Sequence, residues 1–292
     1  MNTCSLVSKF TTFLLLLGLT TLSCAQTVSQ KIEDLDIFAE AEYMKGEPQK
    51  PAILLLHGFL TTNKFHTITS ISKTLNDEGY TILSPTLTLD IANRQNNVKC
   101  SAIHTHSLEK DITEIHDWRN WLKQQGHNKV IVLGHSSGSS QLLEYVSRYP
   151  ESNITGAIFT SLFYLNGEEL GSNEADINKA KAQREQKQNS LYNYSLLFCA
   201  NNYLSTPEGF LSYVTHDREY VLNQLKSLQL PNYTIIGSAD KRLIKIGGHW
   251  NQELESTTTN LVLIDGANHF FSSEHEFDLQ EKLIEITDNL SK

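Results

Sequence analysis

Positive charge is in short supply: 24 Lys and Arg stand against 33 Asp and Glu, a formal net charge of −9 over 292 residues. With no basic excess to neutralise phosphates, a nucleic-acid groove is excluded. The apolar run Phe10 to Leu22 is too short to span a bilayer as a helix. It follows Lys9 and precedes Ser23 and Ala25 in an A-x-A-like arrangement, which fits the core of a signal peptide. Residues 1–25 are therefore expected to be a signal peptide cleaved before Gln26, leaving an exported (periplasmic or secreted) chain with no stable membrane span. The rival is a lipoprotein anchored at Cys24, against which Thr21 stands where such a signal prefers an aliphatic residue. Cysteine is scarce as well. Signal cleavage removes Cys4 and Cys24 and leaves Cys100 and Cys199, a candidate disulfide in an oxidising compartment.

Internal repeats are absent too, and the length suits one large α/β domain over residues 26–292. Six apolar, β-branched runs stand out: Ala52 to His57, Thr81 to Leu87, Lys129 to His135, Gly156 to Leu165, Tyr233 to Ala239 and Asn260 to Ala267. They are near-continuously apolar rather than alternating, as strands covered on both faces should be. Helical patterns, such as Ile68 to Asp77 and Leu108 to Gln125, separate them. This alternation predicts an α/β fold, a mostly parallel sheet with helices on both faces. One interval breaks the rhythm, since roughly 65 residues separate Leu165 from Tyr233, far more than a crossover needs. Within it Glu174 to Ser190 is polar nearly all round, while Ser195 to Leu204 and Tyr220 to Leu230 are apolar and read as helices. The interval, about 166–231, is expected to be an inserted helical cap.

The stretch "KVIVLGHSSGSSQLLEYV" holds four serines, and one frame matches G-x-S-x-G through Gly134, Ser136 and Gly138. The string alone is weak, since roughly one chain in fifteen of this composition would show it by chance. Its context raises it: a buried strand precedes, and an amphipathic helix with Leu142, Val146 and Tyr149 on one face follows, stopped by Pro150. A sharp strand-to-helix turn places Ser136 at the strand's C-terminal edge, with the helix N-terminus aimed at a developing oxyanion. Ser137, Ser139 and Ser140 read as packing or capping residues.

A serine hydroxyl needs a base. Of 11 histidines, His269 in "LIDGANHFF" is the best placed, just after the last predicted strand. The base needs an acid to fix its tautomer. Asp240 in "IIGSADK" follows the next-to-last strand directly, and Asp265, before Gly266, is the rival, more consistent with a turn. For the oxyanion, the candidate donors are the backbone amides of Ser137 and of Phe59 in "LLLHGF", with His57 buttressing that loop.

In order along residues 50–285, "HGF", "GHSSG", "GSAD" and "GANH" resemble the motifs of the α/β-hydrolase superfamily, in general shape its monoacylglycerol-lipase-like and serine-aminopeptidase-like branches. The resemblance implies Ser136 as nucleophile, Asp240 as acid, His269 as base, the Phe59 and Ser137 amides as oxyanion donors, and a lid where the long interval falls. Ser139 departs from the Gly or Ala often found there but is still small. The implied activity is hydrolysis of a small-molecule carboxylic ester through an acyl-enzyme, without metal or organic cofactor. Two rivals remain: a peptidase or amidase with the same triad, for which Glu168, Glu169 and Glu174 are the candidate amine selectors, and a non-catalytic binding protein on the same scaffold. "CSAIHTH" adds His104 and His106 at H-x-H spacing, a weak metal signal for which neither His116 nor any carboxylate completes a ligand set.

Overall fold

Alternation, not continuous apolarity, marks where the chain begins its sheet. The computed structural model describes residues 25–150 and 153–292, so the signal peptide and the Cys24 alternative fall, Ala25 apart, outside the described residues. Strands β1 (Gln26–Ile32) and β2 (Ile37–Met44) form an antiparallel pair that the search for continuous runs passed over. β2 reads IFAEAEYM and buries every second residue, the pattern of an outer strand.

The remaining strands of the main sheet are parallel to one another: β3 (Ala52–Leu56), β4 (Thr81–Thr86), β5 (Val130–His135), β6 (Ile154–Thr160), β9 (Asn232–Gly237) and β10 (Asn260–Ile264). The eight-stranded order is β1-β2-β4-β3-β5-β6-β9-β10, with β3 and β5 central. On one face Leu54, Leu56, Val130 and Val132 pack with α2 (Leu108–Gln124) and α3 (Ser137–Arg148). On the other, Ile53, Leu55, Ile131 and Leu133 pack with α1 (His66–Asp77) and α9 (His275–Leu290). Covering both faces is why these strands are apolar without interruption. The strand expected over Gly156 to Leu165 ends at Thr160, because Ser161 turns into the left-handed region at φ 51.

Between β6 and β9 lie α4 (Glu174–Glu185), β7 (Tyr192–Leu196), β8 (Cys199–Ser205), α5 (Pro207–Val214) and α6 (Arg218–Ser227). The reading of Ser195 to Leu204 as a helix is corrected here, so the interval is not purely helical. The segment is an antiparallel hairpin, with Leu196 paired to Cys199 and Leu197 at φ 53 in the two-residue turn. Its aromatic residues favour strands, and Tyr194 stacks on Phe210 of α5 at 4.3 Å between centroids. A tertiary constraint also holds it, for Cys199 is bonded to Cys100 with the Cα atoms 5.4 Å apart. The two cysteines are 99 residues apart in sequence. In the chain-entropy account, closing a loop of that size contributes up to about 4.7 kcal/mol. Replacing both cysteines by serine is therefore expected to lower the chemical-denaturation midpoint. An unchanged midpoint would show that the bond constrains the unfolded chain little.

Candidate active site

Ser136 lies at the junction of β5 and α3 with φ 59 and ψ −123, a backbone conformation disfavoured for a residue with a Cβ. The flanking glycines are steric requirements. A Cβ on Gly134 would come within 2.6 Å of the Gly138 carbonyl carbon, and one on Gly138 within 2.4 Å of the His57 carbonyl oxygen. Ser139 answers the departure noted above: its hydroxyl donates to the carbonyls of Gly134 at 2.7 Å and Thr160 at 2.9 Å, stitching the helix to two strand ends. Ser140 donates to Phe163 O at 3.1 Å.

The three residues nominated from β5, β9 and β10 converge. Ser136 Oγ is 2.9 Å from His269 Nε2, and His269 Nδ1 is 2.6 Å from Asp240 Oδ2. With Nδ1–H donating to the carboxylate, Nε2 is left to accept the serine proton. Asp240 also caps α7 (Lys241–Lys245), its Oδ1 accepting the Arg242 amide at 2.8 Å. Burial opposes charge on Asp240, but the His269 bond and the Arg242 amide and charge hold its pKa below the usual value. The His269 backbone is fixed by Ser161, whose hydroxyl donates to its carbonyl at 2.7 Å. Asp265 lies elsewhere, accepting from Ser238 Oγ at 2.9 Å on the surface.

His57 is buried and buttresses the turn after β3. Its Nδ1–H donates to Gly58 O at 2.8 Å, and Nε2 accepts the Leu87 amide at 3.0 Å. Burial, then the nearby Arg94 charge, lowers its pKa to about 3, so it stays neutral. The Phe59 and Ser137 amides donate to no protein group among the described residues, and both residues line one narrow cavity of about 20 Å³, room for roughly one water. Leu165, Leu196 and Leu197, all from after β6, close that cavity, and Phe198 of the hairpin turn packs edge-on against Phe59 at 5.4 Å.

Part of the cavity lining is polar, which the sequence did not signal. Asp111 of α2 accepts from Tyr213 Oη at 2.5 Å and Gln141 Nε2 at 2.6 Å, and the His106 Nδ1–H donates to Tyr213 Oη at 2.5 Å. His104 stacks on Tyr203 at 4.2 Å, so the H-x-H pair is engaged by aromatic residues. No metal-binding cluster occurs among the described residues. The acids nominated for an amine-selecting role, Glu168, Glu169 and Glu174, do not line this cavity; Glu169 instead accepts from Tyr164 Oη at 2.5 Å.

A second residue was also missed. The Arg242 guanidinium packs against the His269 imidazole, with Nη1 2.8 Å from Nδ1 and in contact with Nε2. The only available signal was its position two residues after the acid, on the first turn of a helix that the acid itself caps. Burial first, then the Arg242 charge, lowers the His269 pKa, while the Asp240 bond opposes both.

The family described as a protein of unknown function (DUF1749) matches residues 25–164. No curated protein matches the sequence. Among solved structures, Est1E from Butyrivibrio proteoclasticus with ferulic acid bound is 16% identical, covering 87% of this chain and 96% of its own, at a TM-score of 0.63. A monoacylglycerol lipase from Paleococcus ferrophilus is 14% identical, covering 86% and 99%, at 0.65. A dienelactone hydrolase from Anabaena variabilis is 14% identical, covering 90% and 96%, at 0.57. The protein has the α/β-hydrolase fold.

Burial raises the Asp111 pKa to about 7 despite its two hydrogen bonds. Because the unfolded value is near ~3.9, the folded state holds an extra proton between about pH 4 and 7. The cost of ionising the buried group is therefore full above pH 7 and fades as pH falls. Asp111→Asn keeps an acceptor for both donors and should raise Tm at pH 8 more than at pH 5. An equal change at both pH values would reject the shift.

Proposed function

We propose that this chain is an exported serine hydrolase that cleaves a carboxylic ester through an acyl-enzyme. The observation that carries the reading is the hydrogen-bonded line Ser136–His269–Asp240 at 2.9 and 2.6 Å, on a serine strained at a strand-to-helix turn. The esterase and lipase among its structural neighbours support hydrolysis, and the Cys100–Cys199 bond supports an oxidising compartment.

In this mechanism Ser136 Oγ attacks the ester carbonyl carbon as its proton passes to His269 Nε2. The Phe59 and Ser137 amides hold the oxyanion in a site walled by Leu165 and Leu197, where low polarisability strengthens those bonds. Asp240 stabilises the imidazolium without taking its proton. His269 then protonates the alkoxide oxygen as the C–O bond breaks, and water repeats the sequence to release the acid. An ester is favoured over an aminoacyl amide because, with Glu169 lining a separate cavity with Tyr164 and Trp250, none of the nominated acids lines the one beside the Phe59 and Ser137 amides. Asp111, which does line it, is raised to about 7 and so is a weak partner for a cation at neutral pH.

A fluorophosphonate probe is expected to label Ser136, and Ser136→Ala to lose the label while remaining folded; a label that persists or moves to Ser137 rejects the assignment. Activity requires neutral His269, so kcat/KM should rise with pH through a group whose pKa lies below the ordinary histidine value of ~6.5. Asp240→Asn should cost about 10⁴-fold in kcat by leaving the wrong tautomer. A larger loss from Asp265→Asn would transfer the acid role to that residue.

A further inference from the structure

A guanidinium against the catalytic imidazole is a liability on electrostatic grounds. His269 becomes a cation in each transition state, and a positive charge in contact with it opposes that step. Among the described residues, the only carboxylate acting on Arg242 is Asp240. Both Asp240 oxygens are committed, Oδ2 to His269 and Oδ1 to the Arg242 backbone amide, and the guanidinium forms no ion pair with them. Among the described residues its only side-chain polar contacts are the two His269 ring nitrogens, and neither can accept from it while Nδ1–H points at Asp240 and Nε2 accepts from Ser136. A partly buried, unneutralised cation of this kind costs stability unless another anion arrives.

The position of Arg242 says where that anion would sit. His269 Nε2 passes its proton to the departing oxygen, so the alcohol portion of the ester must lie beside Nε2, which Arg242 Nη1 touches. The carbonyl oxygen is instead held by the Phe59 and Ser137 amides, which line a cavity that Arg242 does not line. We propose that Arg242 binds a carboxylate on the alcohol portion of the substrate, so that this site prefers esters whose leaving group is anionic. The inference rests on the acyl-enzyme reading above. A bound carboxylate would meet the planar guanidinium in paired, charge-assisted hydrogen bonds and cancel the charge that otherwise opposes the imidazolium. The remaining titratable neighbour of His269 is His135, at 5.4 Å between centroids; burial, then the His269 and Arg242 charges, keeps it neutral. It therefore supplies no competing charge. Since the chain as a whole carries a formal net charge of −9, selection of an anion must come from this local cation rather than from the overall field.

The test compares 3-acetoxybenzoate with its neutral isostere 3-acetoxybenzamide, in the full chain and in Arg242→Gln and Arg242→Lys. The wild type should favour the benzoate in kcat/KM by about tenfold or more, on the scale of a charge-assisted hydrogen bond. Arg242→Gln should lose that preference and gain activity on the benzamide, with its pH profile shifted to higher pKa as the repelling charge is removed. Arg242→Lys should restore part of the preference, since it keeps the charge without the planar fork. Thermal melts exclude variants that fail to fold. Protection of Ser136 from the fluorophosphonate probe, by 3-hydroxybenzoate against 3-hydroxybenzamide, reads the same contrast without turnover. Labelled Ser136 with equal preference in wild type and Arg242→Gln overturns the role of Arg242 alone, whereas an unlabelled wild type overturns the acyl-enzyme reading and this inference with it.

Discussion

One backbone conformation sets what the rest of the molecule has to provide: Ser136 at φ 59 and ψ −123. Such a residue costs on the order of 1–3 kcal/mol and persists only where its surroundings over-determine it. Here the strand before it is central and buried on both faces, and every residue of α3 from Ser137 to Val146 is buried. The turn cannot relax without dragging both out of the core. Gly138 lies so close to the His57 carbonyl that the loop after β3 and the start of α3 are packed directly on each other, which fixes the Phe59 and Ser137 amides side by side.

Electrostatics in the site are set mainly by burial and by the order in which charges are offset. Asp240 remains charged because two donors, His269 and the Arg242 amide, bind its carboxylate and the Arg242 charge lies nearby. Asp111 and Glu114 are fully buried without a cation in hydrogen-bonding contact, and both rise to about 7. Asp111, the one carboxylate among the residues that line the cavity, is therefore only partly ionised at neutral pH. Only Asp240 places a full negative charge beside the imidazole, and Arg242 contests it from the same helix.

The interval between β6 and β9 joins the body through several kinds of contact. Tyr213 ties it to Asp111 and to His106 by hydrogen bonds, Phe198 packs on Phe59, and the Cys100–Cys199 bond fixes the hairpin covalently to the loop after β4. Because Phe198 directly precedes Cys199, the covalent tie and the aromatic contact with Phe59 are neighbours in the chain. Displacing the hairpin would open the cavity and disturb Phe59 together.

The central strands, the strand-to-helix turn at Ser136 and the convergence of Ser136, Asp240 and His269 were legible because each rests on local chemistry. Continuous apolar runs mark strands covered on both sides, and the Gly134 and Gly138 positions admit no side chain. Asp240 and His269 could be nominated since a parallel sheet delivers the ends of its strands to one edge. The antiparallel β1–β2 pair was missed because outer strands alternate, and the β7–β8 hairpin was misread because its apolar residues fit either a helix or a strand until Phe210 and Cys100 are in place. Asp111 and Tyr213 left no signature, and Arg242 only its place two residues after Asp240. Their neighbours come from segments 102 and 27 residues away, and what a carboxylate or guanidinium does depends on desolvation and on which charges share its space. Sequence alone determined which residues could react; the packing of distant segments decided their charge, their access and their company.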